Sequence, residues 1–188
     1  MTSGFAPVVG LDGVYAARSG KLSCTALRLR DGGLCLYSPV AGLERTLLAQ
    51  AGELGPVSAL LAPNHYHNKG LAAHLEAFPN AALHCSSAAA PRLKKITGLS
   101  FGPLETLRPL LVNGHVLHEA VGLKTGEVWV LIPSPAGCAL VVTDAFSSAT
   151  QPPGEICERV TMLGTFPRYG VDDAGAYREW AVDILRAA

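Results

Sequence analysis

His65 and His67 stand two positions apart in the stretch NHYHNKG, directly after the apolar run 57–61 and before a helical pattern that begins at Leu71. Asp144 follows the strand-like run 139–143 in the same way. In open α/β sheets, ligands gather at the carboxyl ends of strands, so three potential ligands at two such ends are more informative than three scattered ones. Neutral imidazole is a common metal ligand. Two histidines and a carboxylate make the ligand count of a mononuclear zinc or iron site with open positions, able to polarise water or a carbonyl. Taken alone, H-x-H in a polar loop is equally well two exposed or hydrogen-bonded histidines.

The remaining chemistry-bearing residues suggest less. His74 falls on the helix after the loop and reads as a surface residue, while His84 sits in a short buried strand where it hydrogen-bonds internally. His115 and His118 flank the start of a later strand. Cys85 is adjacent to His84, but strand neighbours point to opposite faces and cannot cooperate. Cys24, Cys35, Cys85, Cys138 and Cys157 are odd in number and contain no C-x-x-C pair, as expected for reduced thiols serving as small core residues. Phosphate-cradling, dinucleotide-binding and G-x-S-x-G patterns are absent. Arg168 and Tyr169, in FPRYG, read as a Pro/Gly-bounded loop that either lines a pocket for an anion or packs on the surface.

The elements that must position these groups follow from periodicity. Residues 24–30 alternate apolar and basic side chains, Asp31-Gly32-Gly33 turns the chain, and 34–37 return as a second strand. Leu43, Leu47, Leu48 and Ala51 share one face of a helix that Gly55-Pro56 stops. The run 57–61, the helix carrying Leu71, Leu75 and Phe78, and the run 82–85 form a strand–helix–strand unit, which implies a right-handed crossover between parallel strands. Pro91 opens a helix that Gly98 ends. Residues 116–121, 127–132 and 138–142 then read as three strands with no room for helices between them. A last helix, capped by Asp172 or Asp173, places Tyr177, Trp180, Ala181, Ile184 and Leu185 on one face.

Composition bounds the class. A chain of 188 residues, 49% apolar and 16% charged, has enough apolar surface for one domain over 1–188. Lys plus Arg equals Asp plus Glu at 15 each, which supplies no field for nucleic acid or an acidic membrane. The short cluster Arg92, Lys94, Lys95 reads as a solvated helix face or the rim of an anion pocket. The first residues have no basic start followed by an apolar stretch, and no apolar run reaches the ~18 residues of a membrane span. A cytoplasmic location is therefore expected.

Residues 54–85, LGPVSALLAPNHYHNKGLAAHLEAFPNAALHC, resemble the segment of the metallo-β-lactamase superfamily in which a buried strand runs into an H-x-H-x-D-H loop, a glycine and a helix. GLKTGEVWVLIP followed by CALVVTDAF is similar to that superfamily's third-histidine turn, hairpin and metal-bridging aspartate. The resemblance runs from about Cys24 to Phe146, and is closer to small uncharacterised members whose loop reads A-P-N. It implies a four-layer αββα sandwich with a cleft lined by Asn64, His65, His67, Asn68, Lys69 and Asp144.

Within that resemblance, His65, His67 and Asp144 fall on ligand positions. Asn68 stands where the motif has an aspartate, Lys69 where it has the next histidine, and Leu123 where it has the third. A neutral Asn oxygen is a weak ligand and cannot take a proton from bound water. Lys69 either turns inward, pairing with Asp144 in place of a second metal, or points to solvent. The expectation is a degenerate metal site without dinuclear hydrolase activity, holding no metal or a single zinc or iron ion. Such a protein would bind a small molecule in the cleft without catalysis, or scaffold as a homodimer. The alternative is a mononuclear metal-dependent hydrolase or oxidoreductase built on His65, His67 and Asp144.

Overall fold

The computed structural model describes residues 3–148 and 159–187. In its first half, apolar side chains on both faces of the central strands build a six-stranded sheet. β1 (Ala6–Pro7), β2 (Val14–Ser19), β3 (Leu22–Arg28) and β4 (Leu34–Tyr37) pair antiparallel in that order. After α1 (Leu43–Leu54), β5 (Val57–Ala62) joins β4 in parallel, and after α2 (Leu71–Ala77), β6 (Ala82–Cys85) joins β5 in parallel. The expected hairpin and crossover are thus both present.

Side-chain alternation sets the layers. Leu34 and Leu36 of β4 and Leu60 and Ala62 of β5 pack beneath Leu43 and Leu47 of α1, Leu71 of α2 and Leu93 of α3 (Ala90–Thr97). Each such fully buried leucine contributes about 2 kcal/mol. Cys35, Tyr37, Ala59 and Leu61 face the other way. Burial on both faces explains why these strands read as unbroken apolar runs.

That second face is covered by a three-stranded antiparallel sheet of β7 (Val116–Glu119), β8 (Val128–Ser134) and β9 (Gly137–Val141). Val128, Val130 and Ile132 point toward the first sheet. Trp129, between them, points outward into a third core with Leu123, Ala145, Phe166, Tyr177 and Ile184. α6 (Ala174–Ala187) closes that side, and Asp173 rather than Asp172 caps it, its Oδ1 accepting from the Ala176 N–H at 3.0 Å. Helix, sheet, sheet, helix is the expected αββα order.

Several expectations change. Leu48 and Leu185 are half-exposed or more, because α1 docks through Leu43, Leu47 and Leu54 and α6 through Tyr177 and Ile184. Cys24, Cys35 and Cys85 are core residues, but Cys138 is exposed near the tip of the β8–β9 hairpin; Cys157 lies outside the described residues. The FPRY segment is a short helix, α5 (Phe166–Tyr169), held by the buried Phe166 ring, and not a loop. β1, β2, a short α4 (Leu104–Leu107), and the pair β10 (Phe146–Ser148) and β11 (Val160–Met162) are additions. β2 is only partly buried, so its sequence lacks clean alternation. Among the described residues, no helix is long and apolar enough to cross a membrane.

Candidate functional site

β5 ends under the second sheet, and its outgoing loop is pinned there. The Val128 N–H donates to the Pro63 carbonyl at 2.7 Å, and the His65 N–H to that of Thr125 at 3.2 Å. Asn64, fully buried, then organises the turn: its Oδ1 accepts from the Tyr66 N–H at 2.8 Å, the self-bonding habit that suits Asn to turns. Asn68 adds a brace, its Nδ2 donating to the His65 carbonyl at 2.9 Å. The loop lies hard against residues 39–41. A Cβ at Gly70 would strike the Pro39 carbonyl and lie 2.8 Å from the Ala41 nitrogen.

This packing brings three side chains into line. Ser38, at the end of β4, has φ 60, the one positive φ outside glycine among the described residues. Its Oγ is 2.7 Å from His67 Nδ1, and His67 Nε2 is 3.2 Å from Asp144 Oδ1. Asn64 Nδ2 donates to the second oxygen of Asp144 at 2.9 Å. A carboxylate accepts, so the consistent proton arrangement has Nε2–H donating to Asp144 and Nδ1 accepting from the Ser38 hydroxyl.

The segment carrying Asp144 is held from below by Glu127. This fully buried carboxyl accepts through Oε1 from the Trp129 indole at 3.1 Å and from the Thr143 and Ala145 N–H groups at 3.3 Å each. Burial, then the charge of Asp144, raise its pKa. Burial pushes Asp144 up as well, but its hydrogen bond to His67, the positive charge of that ring when protonated and the Asn64 amide outweigh that and hold it below the usual carboxylate value. Neighbouring acids are thus driven in opposite directions.

Asn64, His67 and Asp144 therefore converge, whereas the other candidates divide. His65 is buried edge-on to the Tyr66 ring, its Nε2 lacking a hydrogen-bond partner, and burial followed by the Arg92 charge lowers its pKa. Lys69 is exposed on the cleft wall, and the partners of Asp144 are Asn64 and His67, so the inward Lys69–Asp144 pair is not formed. Leu123, aligned with a histidine, lies in the third core and pairs with Val171. Among the described residues, no three His, Cys, Asp or Glu side chains converge to hold a metal ion.

His74 is not a surface residue: it is fully buried, with Nδ1 2.9 Å from the Gly70 carbonyl. His84 bonds internally as expected, 3.3 Å from the Pro103 carbonyl. His115 borders a separate hollow with Asp12 and Pro133, and His118 lies opposite Trp129 on β7. Ser38 and Glu127 had no recognisable signal. Ser38-Pro39 looks like a strand terminator, and Glu127 betrays itself only as an acid opening an otherwise apolar strand.

The cleft in front of His67 measures about 770 Å³ and runs between the β2–β3 turn, residues 37–41, residues 66–70 and residues 142–147. Its charged lining is Arg18, Lys21, Lys69 and Asp144. Arg92 stacks over the Tyr66 ring at 5.1 Å, while Lys94 and Lys95 are solvated. On the other side of Asp144, an apolar hollow of about 460 Å³ is bordered by Tyr66, Phe166 and Tyr169. Arg168 stacks on Tyr169 at 5.2 Å and is not among the residues bordering that hollow.

No family model matches the chain, and no curated protein sequence matches it. Solved structures do. The metal-soaked Flv1 flavodiiron core from Synechocystis sp. PCC6803 superposes with a TM-score of 0.57 at 13% identity, over 97% of this chain and 53% of that one. The MIM-2 metallo-β-lactamase superposes with a TM-score of 0.54 at 18% identity, over 92% of this chain and 69% of that one. The chain spans about half the length of the flavodiiron core. At such identities the likeness speaks for architecture alone, and by its layers, strand order and superposition this chain has the metallo-β-lactamase fold.

Proposed function

We propose that this is a metallo-β-lactamase-fold protein whose cleft lacks a paired-metal hydrolase centre, binds divalent metal weakly or not at all, and takes a small molecule. The supporting observation is that the best candidate ligands already satisfy one another. Both ring nitrogens of His67 and both carboxylate oxygens of Asp144 have partners within 3.2 Å. Two adjacent cations need several anionic or imidazole donors aimed at one volume. Here Asn68 is turned to backbone and Leu123 lies in a core. These residues do not fit a paired-metal centre.

Elemental analysis of the purified full chain, followed by zinc and iron titration in a calorimeter, tests this reading. Sub-stoichiometric metal and weak uptake are expected. Two cations retained per chain and lost in His67→Ala would overturn it. A single tightly held ion, lost in both His65→Ala and His67→Ala, would replace it with the mononuclear enzyme.

A further inference from the structure

We propose that Ser38, His67 and Asp144 form a nucleophile–base–carboxylate relay that hydrolyses a small, negatively charged ester or thioester in the cleft. This rests on the cleft lacking a paired-metal centre, since a cation on His67 Nε2 or Asp144 would break the relay. Three features converge on this relay. The Ser38 hydroxyl is 2.7 Å from a ring nitrogen whose opposite nitrogen meets a carboxylate at 3.2 Å. This is the spacing that nucleophilic catalysis requires of nucleophile, base and orienting group. Although largely buried, Ser38 belongs to the cleft wall, so a bound carbonyl has a path to it.

Backbone conformation is the second feature. A serine at φ 60 occupies a region that L residues avoid, and such outliers cluster where a side chain must be presented in one orientation. The third is the support beneath the acid. Asn64 holds Asp144 directly, and Glu127 clamps the N–H groups on either side of it. Reactive constellations need such bracing to keep their geometry.

The chemistry balances with water as the only co-reactant. Ser38 Oγ bonds to the carbonyl carbon while its proton passes to His67 Nδ1, and Asp144 holds the resulting imidazolium through Nε2–H. The bond from carbonyl carbon to the alcohol or thiol then breaks, and the leaving group takes the proton from Nδ1. Water attacks the acyl-Ser38, its proton going to Nδ1 and then to Ser38 Oγ as the acid departs. The ring is presented with Nδ1 toward serine and Nε2 toward carboxylate, an orientation that serves the relay equally, since either nitrogen can carry the proton. The charge of the lining selects the substrate. Arg18, Lys21 and Lys69 stand against one carboxylate that already has its partners, which favours an anionic acyl group.

The test uses the full chain, treated with EDTA, and an alkyl fluorophosphonate, which bonds phosphorus to a reactive serine oxygen and expels fluoride. Intact mass and peptide mapping should show one adduct, on Ser38, formed at the same rate with or without EDTA. Ser38→Gly, which suits φ 60 and should fold, must abolish it. His67→Gln should slow it by about 10²-fold or more. With p-nitrophenyl hemisuccinate as substrate, Asp144→Asn should lower kcat with little change in KM, and Arg18→Ala with Lys21→Ala should raise KM relative to neutral p-nitrophenyl butyrate. No adduct at Ser38, or one formed at the unaltered rate in His67→Gln, overturns the relay while leaving the reading of the metal site intact. Ester turnover abolished by EDTA and restored by zinc overturns both.

Discussion

Asn64 donates from Nδ2 to Oδ2 of Asp144 at 2.9 Å across a separation of 80 residues. One amide thereby ties the loop leaving the first sheet to the segment leaving the second, and the geometry of His67 between them depends on that tie. A hydrogen bond to a charged group contributes about 1.5–3 kcal/mol. Asn64→Ala should cost about 2 kcal/mol in urea unfolding. It should also let Asp144 titrate at higher pH, which carboxyl-carbon NMR would register. An unchanged Asp144 titration would mean that the amide does not stabilise its charged form.

Glu127 offers a test with the opposite sign. Its folded pKa is raised, so its contribution to stability is complete below the unfolded value of 4.5 and is lost as pH rises through the folded value. Glu127→Gln keeps an acceptor for the Thr143 and Ala145 N–H groups while removing that charge. The variant should match or exceed the parent in stability above pH 7, whereas Glu127→Leu, which strands buried donors, should lose about 3 kcal/mol. Denaturation curves at several pH values separate the two.

Buried histidines set the acid limb. Desolvation lowers the pKa of His74 and His84, and of His65 with the Arg92 charge added, so each binds its proton more readily when the chain is unfolded. Their stabilising contribution is present above the unfolded value of 6.5 and is lost as pH falls from there toward the depressed folded values. The melting temperature should therefore drop between pH 7.5 and 5, and His74→Leu should flatten that slope. A slope unaltered by His74→Leu would assign the loss to other groups.

Gly70→Ala should damage the cleft without altering any of its polar side chains. The φ of Gly70 is −89, ordinary for any residue, so the cost arises only from the added Cβ against the Pro39–Ala41 backbone. Overpacking of this kind costs about 1–3 kcal/mol. Because it pushes the His67 loop away from Ser38, imidazole proton shifts of His67 should move along with the loss of stability.

Most of the architecture could be read from periodicity. The Asp31-Gly32-Gly33 hairpin, the parallel β5–β6 crossover with Leu71 on its helix, and the β7–β8–β9 run all follow from apolar spacing and turn residues, which are local properties. His65 and His67 could be singled out because they sit two apart at one strand end. Leu48, Leu185 and His74 depart from their periodicity for a common reason: a helical face spans several candidate residues, and the neighbouring layer decides how far it is rotated.

Apolar spacing and turn residues alone fix that two sheets form with helices outside them, and that the loop from Asn64 to Gly70 leaves the carboxyl end of a buried strand. Which partners His67 meets depends instead on how the layers pack. Ser38 comes from 29 residues before it and Asp144 from 77 after it, and no pattern in the chain links the three. Ser38 holds a strained backbone, Gly70 lets the His67 loop close on residues 39–41, and Glu127 fixes the segment carrying Asp144, so the distances between these separate strand ends are set by layer packing and not by spacing along the chain.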